Sequence, residues 1–182
     1  MSAVRSEPAG AGSPSARVCP EHLEAWFAEL GLTPSARADR EGVTSWDLDL
    51  DGRRRFDLRA TLILDPSLAL IAWVQLAPPI GDRFRASYRK LLRWNDEFPF
   101  VKFAVAEDER PVLSAELPVA HLDADLLGLT LARLLAIADR LLDETADWLW
   151  VRGEMPASYG DRASRNLTLI ERYADRLREL DG

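Results

Sequence analysis

Several groups of residues in this chain have types and spacing that could do chemistry. The run Asp47-Leu48-Asp49-Leu50-Asp51-Gly52 opens like a calcium loop, in which alternating carboxylates ligate the ion and a glycine turns the chain. The twelfth position of such a loop must supply a bidentate carboxylate, yet it is Leu58, and Arg53, Arg54 and Arg55 would repel a cation. An Asp-Gly turn between two alternating runs reads instead as a hairpin. The acids Asp96, Glu97, Glu107, Asp108 and Glu109 would suit paired-carboxylate acid–base work only if they converged, and their places at a helix end and a turn tip favour solvation. His22, His121 and the lone Cys19 are too few, and too far apart in the chain, to build a zinc site without carboxylates. There is no phosphate loop, dinucleotide fingerprint or nucleophile elbow, so no catalytic residue, metal or cofactor is expected.

A basic stretch is the better candidate for contact. Arg83, Arg85, Arg89, Lys90 and Arg93 fall on the helix face opposite Phe84, Tyr88 and Leu91, with Trp94 beside Arg83 and Lys90 at about 100° per residue. Arginines beside an exposed aromatic can hold phosphate and stack a base, which makes direct nucleic-acid binding through Arg83 to Trp94 one alternative. One helix is a small footprint for a polyanion, so the favoured reading is a solvated face whose Arg85, Arg89 and Arg93 pair with acids of a second subunit. Trp94, together with Trp148 and Trp150 near the end of a long apolar helix, completes the set of candidate partner or dimer contacts.

These residues sit in a chain of 182 residues with 47% hydrophobic and 29% charged content, enough for one core. The net charge of -7 argues against a surface that attracts phosphate as a whole. Cys19 alone removes any internal disulfide and fits a reducing compartment. The N-terminal MSAVRSEPAGAGSPSARV has no apolar core of a secretory signal, and LALIAWVQLA is too short for the roughly 20 apolar residues of a membrane span. A cytoplasmic protein with no membrane partner is expected.

The elements follow from periodicity and breakers. Residues 1–18, rich in Ala, Ser, Gly and Pro, read as disordered, residues 19–152 as the folded domain, and residues 153–182 as a linker and C-terminal amphipathic helix. Pro20 starts a helix carrying Leu23, Trp26, Phe27 and Leu30, which Gly31 ends. Trp46, Leu48 and Leu50 then alternate with polar residues, as do Phe56, Leu58, Ala60 and Leu62. The shortest odd loop, Asp51-Gly52-Arg53, pairs Leu48 with Phe56, Trp46 with Leu58 and Asp49 with Arg55. The Leu68 to Ala77 run is apolar on both faces and predicts a central strand covered twice. Asp82 can cap a second helix with Phe84, Tyr88, Leu91 and Asn95 inward, Pro99 breaks it, and Val101 to Val105 and Val112 to Leu117 form a hairpin around a charged turn. Asn95, Asp96 and Glu97 therefore mark a join between helix and strand. Asp123 and Asp125 open a long helix whose apolar arc is too wide for a sheet alone. Leu167, Ile170, Tyr173, Ala174, Leu177 and Leu180 define the last helix.

The order helix, three strands, helix, two strands, long helix is similar to that of type III secretion chaperones. More closely, LLRWNDEFPFVKFAVAEDERPVLSAELP before an Asp-capped apolar helix resembles the YbjN-like family, whose members are described as sensory transduction regulators. The helix closing on Asn95, the strand Val101 to Val105, the acidic turn and the strand ending Glu116-Leu117-Pro118 carry the likeness, which spans roughly residues 20–150. It implies an α+β fold of about five antiparallel strands with helices packed on them, frequently a homodimer, that acts by holding other proteins. The resulting expectation is a non-enzymatic, chaperone-like or adaptor protein, homodimeric, with a basic or nucleic-acid-associated protein client favoured by its acidic surface. Direct nucleic-acid binding and a small-molecule sensor or enzyme are the alternatives.

Overall fold

The computed structural model describes residues 18–79, 85–145 and 162–180. Pro20 occupies the first turn of α1 (Pro20–Glu29), where its missing N–H costs nothing. The Cys19 amide donates to His22 Nδ1 at 3.3 Å, so this histidine closes the helix start. Gly31 ends it at φ +68, a conformation only glycine adopts freely.

One antiparallel sheet runs in the order β1-β2-β3-β4-β6-β5. Its strands are β1 (Ala36–Arg40), β2 (Val43–Leu50), β3 (Leu58–Asp65), β4 (Ala69–Gln75), β5 (Lys102–Val105) and β6 (Pro111–Pro118). The helices are α1, α2 (Arg85–Glu97), α3 (Ala124–Thr145) and α4 (Leu167–Tyr173), the last followed by two short 3-10 turns. The α+β class expected from sequence is what the chain adopts, with six strands in place of about five. The extra strand, β1, has no buried residue, so apolar alternation could not reveal it. Its turn could have: Glu41 and Gly42 both hold positive φ, the two-residue hairpin geometry that matches strand twist.

The β2–β3 register differs from the shortest-loop expectation. Leu50 pairs with Leu58, Leu48 with Ala60, Trp46 with Leu62 and Asp49 with Arg59. The connection is thus residues 51–57, still odd in number, so both apolar sets stay on one sheet face. Side-chain bonds, described below, hold this longer loop in place of tight-turn chemistry.

β4 is central, between β3 and β6, but among the described residues only one of its faces is covered. Leu70, Ala72 and Val74 are buried, whereas Ile71 is half-buried and Trp73 remains 36% exposed. The covered face also holds Trp46, Leu48, Leu62, Leu113, Ala115 and Phe103. From α2, Leu91, Trp94 and Phe98 join this core, with the Trp94 and Phe98 rings 5.3 and 5.8 Å from Phe103.

Between Leu127 and Leu142 no described side chain of α3 is exposed. The wide apolar arc touches β6, α1 and α4, so the second surface it needs comes from the same chain. Leu169, Ile170, Tyr173, Leu177 and Leu180 belong to that shared core, and the last amphipathic stretch ends in 3-10 turns after Tyr173.

Candidate protein-binding surfaces

The Asn95-Asp96-Glu97 cluster is a structural join. Asn95 donates from Nδ2 to the Phe103 carbonyl at 3.1 Å and accepts the Phe103 amide on Oδ1 at 2.6 Å. One side chain thereby satisfies both backbone groups of an edge residue that has a strand on only one side. Glu97 pairs with Arg140 of α3 at 2.8 Å, and the Arg140 guanidinium lies 5.0 Å over Phe98. These contacts tie the end of α2 to β5 and α3.

The outer face of α2 holds Arg89 and Arg93, both exposed, with Leu92 between them 69% exposed. Arg85 begins the helix backbone, while Asp82, Arg83 and Phe84 lie outside the described residues. Trp94 corrects the expectation of an aromatic beside these arginines: it is 4% exposed and packs on Phe103. At about 100° per residue Trp94 stands about 40° from Lys90 and about 60° from Leu91, at the border of the two faces, and its ring turns inward, so Trp94 gives the basic face no stacking platform. Trp148 and Trp150 lie outside the described residues. At the end of the same helix Phe100 holds φ +67 and is 76% exposed, with the Arg133 guanidinium 4.9 Å over its ring.

The uncovered sheet face is the second surface. Its cross-strand rows are Asp47–Thr61–Trp73–Ser114–Lys102 and Ser45–Ile63–Ile71–Glu116. Ile63, Ile71 and Trp73 give it an apolar centre, flanked by the Thr61 to Asp47 hydrogen bond of 2.7 Å and the Lys102–Glu116 pair of 2.7 Å. Toward the β5–β6 turn it dips into a depression of 490 Å³ bounded by Trp73, Val105, Val112, Glu107 and Arg110. Arg110 there donates to Gln75 at 3.3 Å and pairs with Asp108 at 2.8 Å, so the polar rim is largely self-satisfied. Such a centre and rim suit contact with another polypeptide.

The densest ionisable cluster surrounds the 51–57 loop. The Asp51 side chain is fully buried and accepts from the Asp57 amide, from Arg162 and from the Arg165 amide, Nε and Nη2, at 2.8–3.1 Å. Burial alone would raise its pKa, but the hydrogen bonds from the Arg165 side chain and from the Asp57 and Arg165 amides outweigh that and lower it to about 2. Asn166 accepts the Asp51 amide at 2.7 Å, and Ser164 donates to the Asp51 carbonyl at 3.0 Å. On the other side the amides of Arg53, Arg54 and Arg55 all donate to Asp139 of α3, at 2.6–2.9 Å. Gly52 is required here, because a Cβ would lie 2.7 Å from the Asp139 Cγ. Every one of these groups is consumed in holding the loop between α3 and the C-terminal segment, which is a clasp geometry. A calcium ion has no place in it, since Asp51 is committed to arginines. Among the described residues no three His, Cys, Asp or Glu side chains are grouped to hold a metal.

Sequence reasoning missed this clasp because its partners are remote: Arg162 lies 111 positions from Asp51 and Arg165 lies 114. No local pattern flagged Asp51 either: it continues the odd-numbered series of Asp47 and Asp49 on the open face, yet it is buried.

A helix-backed antiparallel sheet with one open face, and no cavity ringed by converging ionisable groups among the described residues, defines a class of α+β domain that offers surface. The chain belongs to the YbjN family, described as "putative bacterial sensory transduction regulator", which matches residues 20–147. No curated protein matches the chain. Among the described residues no helix is long and apolar enough to cross a membrane.

Proposed function

We propose that this protein is a non-enzymatic adaptor or chaperone-like module of the cytoplasm that binds another protein, and that it does so as a homodimer. The observation that carries the proposal is the open sheet face, where Ile63, Ile71 and Trp73 line up across two central strands without a covering element among the described residues. A sheet normally buries its apolar face, and a large exposed aromatic at the centre of one marks contact. The flank of α3, the other surface expected to seek a second copy, is already filled by α4, which favours the sheet face for self-association. A two-fold pairing would bring the same rows of two copies together, as a self-complementary patch requires. The exposed Arg89, Leu92 and Arg93 of α2 remain for a client.

Recovery of tagged chain from its native cells should bring a stoichiometric protein partner. A chain with Arg89→Glu and Arg93→Glu should lose it while keeping its own dimer. Repeated recovery of no partner would overturn the proposal.

A further inference from the structure

The C-terminal segment 162–180 contacts the rest of the molecule as a ligand contacts a receptor. Its charges and those of its seat are segregated. Arg162 and Arg165 meet Asp51 and Asp57, Arg172 meets Glu29 at 3.2 Å, and Arg176 meets Asp125 at 2.6 Å. In every one of these pairs the cation is on the segment and the anion on the seat. The segment is net basic, although the chain carries -7 overall. Between the arginine pairs its apolar side chains Leu169, Ile170, Tyr173, Leu177 and Leu180 enter a groove formed with α1 and α3. Gly128 makes room for the central anchor: a Cβ there would stand 2.8 Å from the Tyr173 ring and 2.8 Å from Leu30 Cδ2. The closure is imperfect, with a cleft of 310 Å³ left between the end of α1 and the segment around Leu30, Arg165, Leu169 and Arg172. All the acids of the seat, and Gly128, fall within the residues 20–147 that match the family, whereas the segment falls outside them.

We propose that the groove of α1, α3 and the 51–57 loop is a docking site for a basic amphipathic segment led by two arginines, and that residues 162–180 are its resident, displaceable occupant. Charge complementarity with fully desolvated acceptor at Asp51 selects arginine at the leading end, because a guanidinium alone can meet the carboxylate through two parallel bonds. A client segment of the same chemistry would compete for the seat with the chain's own tail, whose tether gives it a high local concentration. This goes beyond the sheet-face proposal and does not depend on it.

The test cuts the tether in the folded full chain. A protease recognition sequence is inserted between Ala157 and Ser158, and the purified protein is cleaved. A fluorescent peptide of residues 162–180 is then added, and its anisotropy followed. Exchange onto the cut protein is expected, at least about tenfold tighter than onto the uncut chain, where the tethered segment competes. A peptide with Arg162→Glu and Arg165→Glu should bind at least about tenfold more weakly, and one with Leu167→Ala, an exposed position, as well as the parent. In the uninterrupted chain, amides of residues 167–180 should exchange hydrogen by an opening that leaves α3 protected. Loss of the cooperative melt upon cutting and dilution, absence of peptide exchange, equal binding of the charge-reversed peptide, or exchange of 167–180 only with global unfolding would each overturn the proposal. Failure of the dimer at the sheet face would leave all four readouts unchanged.

Discussion

Trp46 and Trp73 stand two strands apart in one sheet and meet opposite surroundings. Trp46 points into the helix-covered face, edge-on to Phe27 with ring centroids 5.5 Å apart, and is 1% exposed. Trp73 points the other way, between Thr61 and Ser114, on a face with no helix of the described residues over it. The strand period of two makes this division, because each strand sends successive side chains to opposite faces. One face is spent on the fold and the other is left open among the described residues. The same residue type therefore means core in one place and surface in the other, and only pairing and burial separate the two.

The division is sharpest where a cavity would open. Leu62→Ala on the covered face should cost about 4 kcal/mol in urea unfolding, whereas Trp73→Ser on the open face should change monomer stability by under about 1 kcal/mol. Equal costs would erase the distinction. Asp51→Ala should cost about 2 kcal/mol, because it leaves the Asp57 and Arg165 amides without their acceptor in a buried site, while the two partly exposed arginines keep Asp57. The pH dependence follows from the same carboxylate. Its folded pKa, lowered to about 2 from 3.8, contributes stability that is complete above the unfolded value and disappears as pH falls through about 2. About 2 kcal/mol should thus be lost across acid pH in the native chain, and the Asp51→Asn chain should lack that portion of the titration.

Smaller effects test the seat of the C-terminal segment and the open face. Gly128→Ala should lose about 1 kcal/mol of thermal stability despite the better helix former, since its Cβ meets Tyr173 and Leu30. A gain would mean that the groove is looser than its distances. Lys102→Met, at a pair whose side chains are 64% and 54% exposed, should shift stability by under about 0.5 kcal/mol.

Much of the covered face was legible in the sequence because alternation at Trp46 to Leu50 and Leu58 to Leu62, and the helical recurrence at Leu23 and Phe27, report burial directly. Polar β1 gave no such signal, and the β2–β3 register was set by Asp139 and Arg165, whose approach no local pattern encodes. The α3 arc correctly demanded a second mate, but the sequence offered no means to tell a second copy from the chain's own Tyr173 and Leu177. Trp94 was assigned by its arginine neighbours, yet its place with Leu91 and Phe98 on the apolar arc sends it inward. The open sheet face was the least legible part, since Ile71 and Trp73 look in sequence like the second half of a doubly buried strand.

The most direct test is the molar mass in solution, by light scattering, of the native chain and of Trp73→Asp at matched concentrations. The expected result is a dimer for the native chain and a folded, cooperatively melting monomer for Trp73→Asp. A native monomer, or a Trp73→Asp chain that still pairs, would contradict the assignment of the open sheet face to self-association.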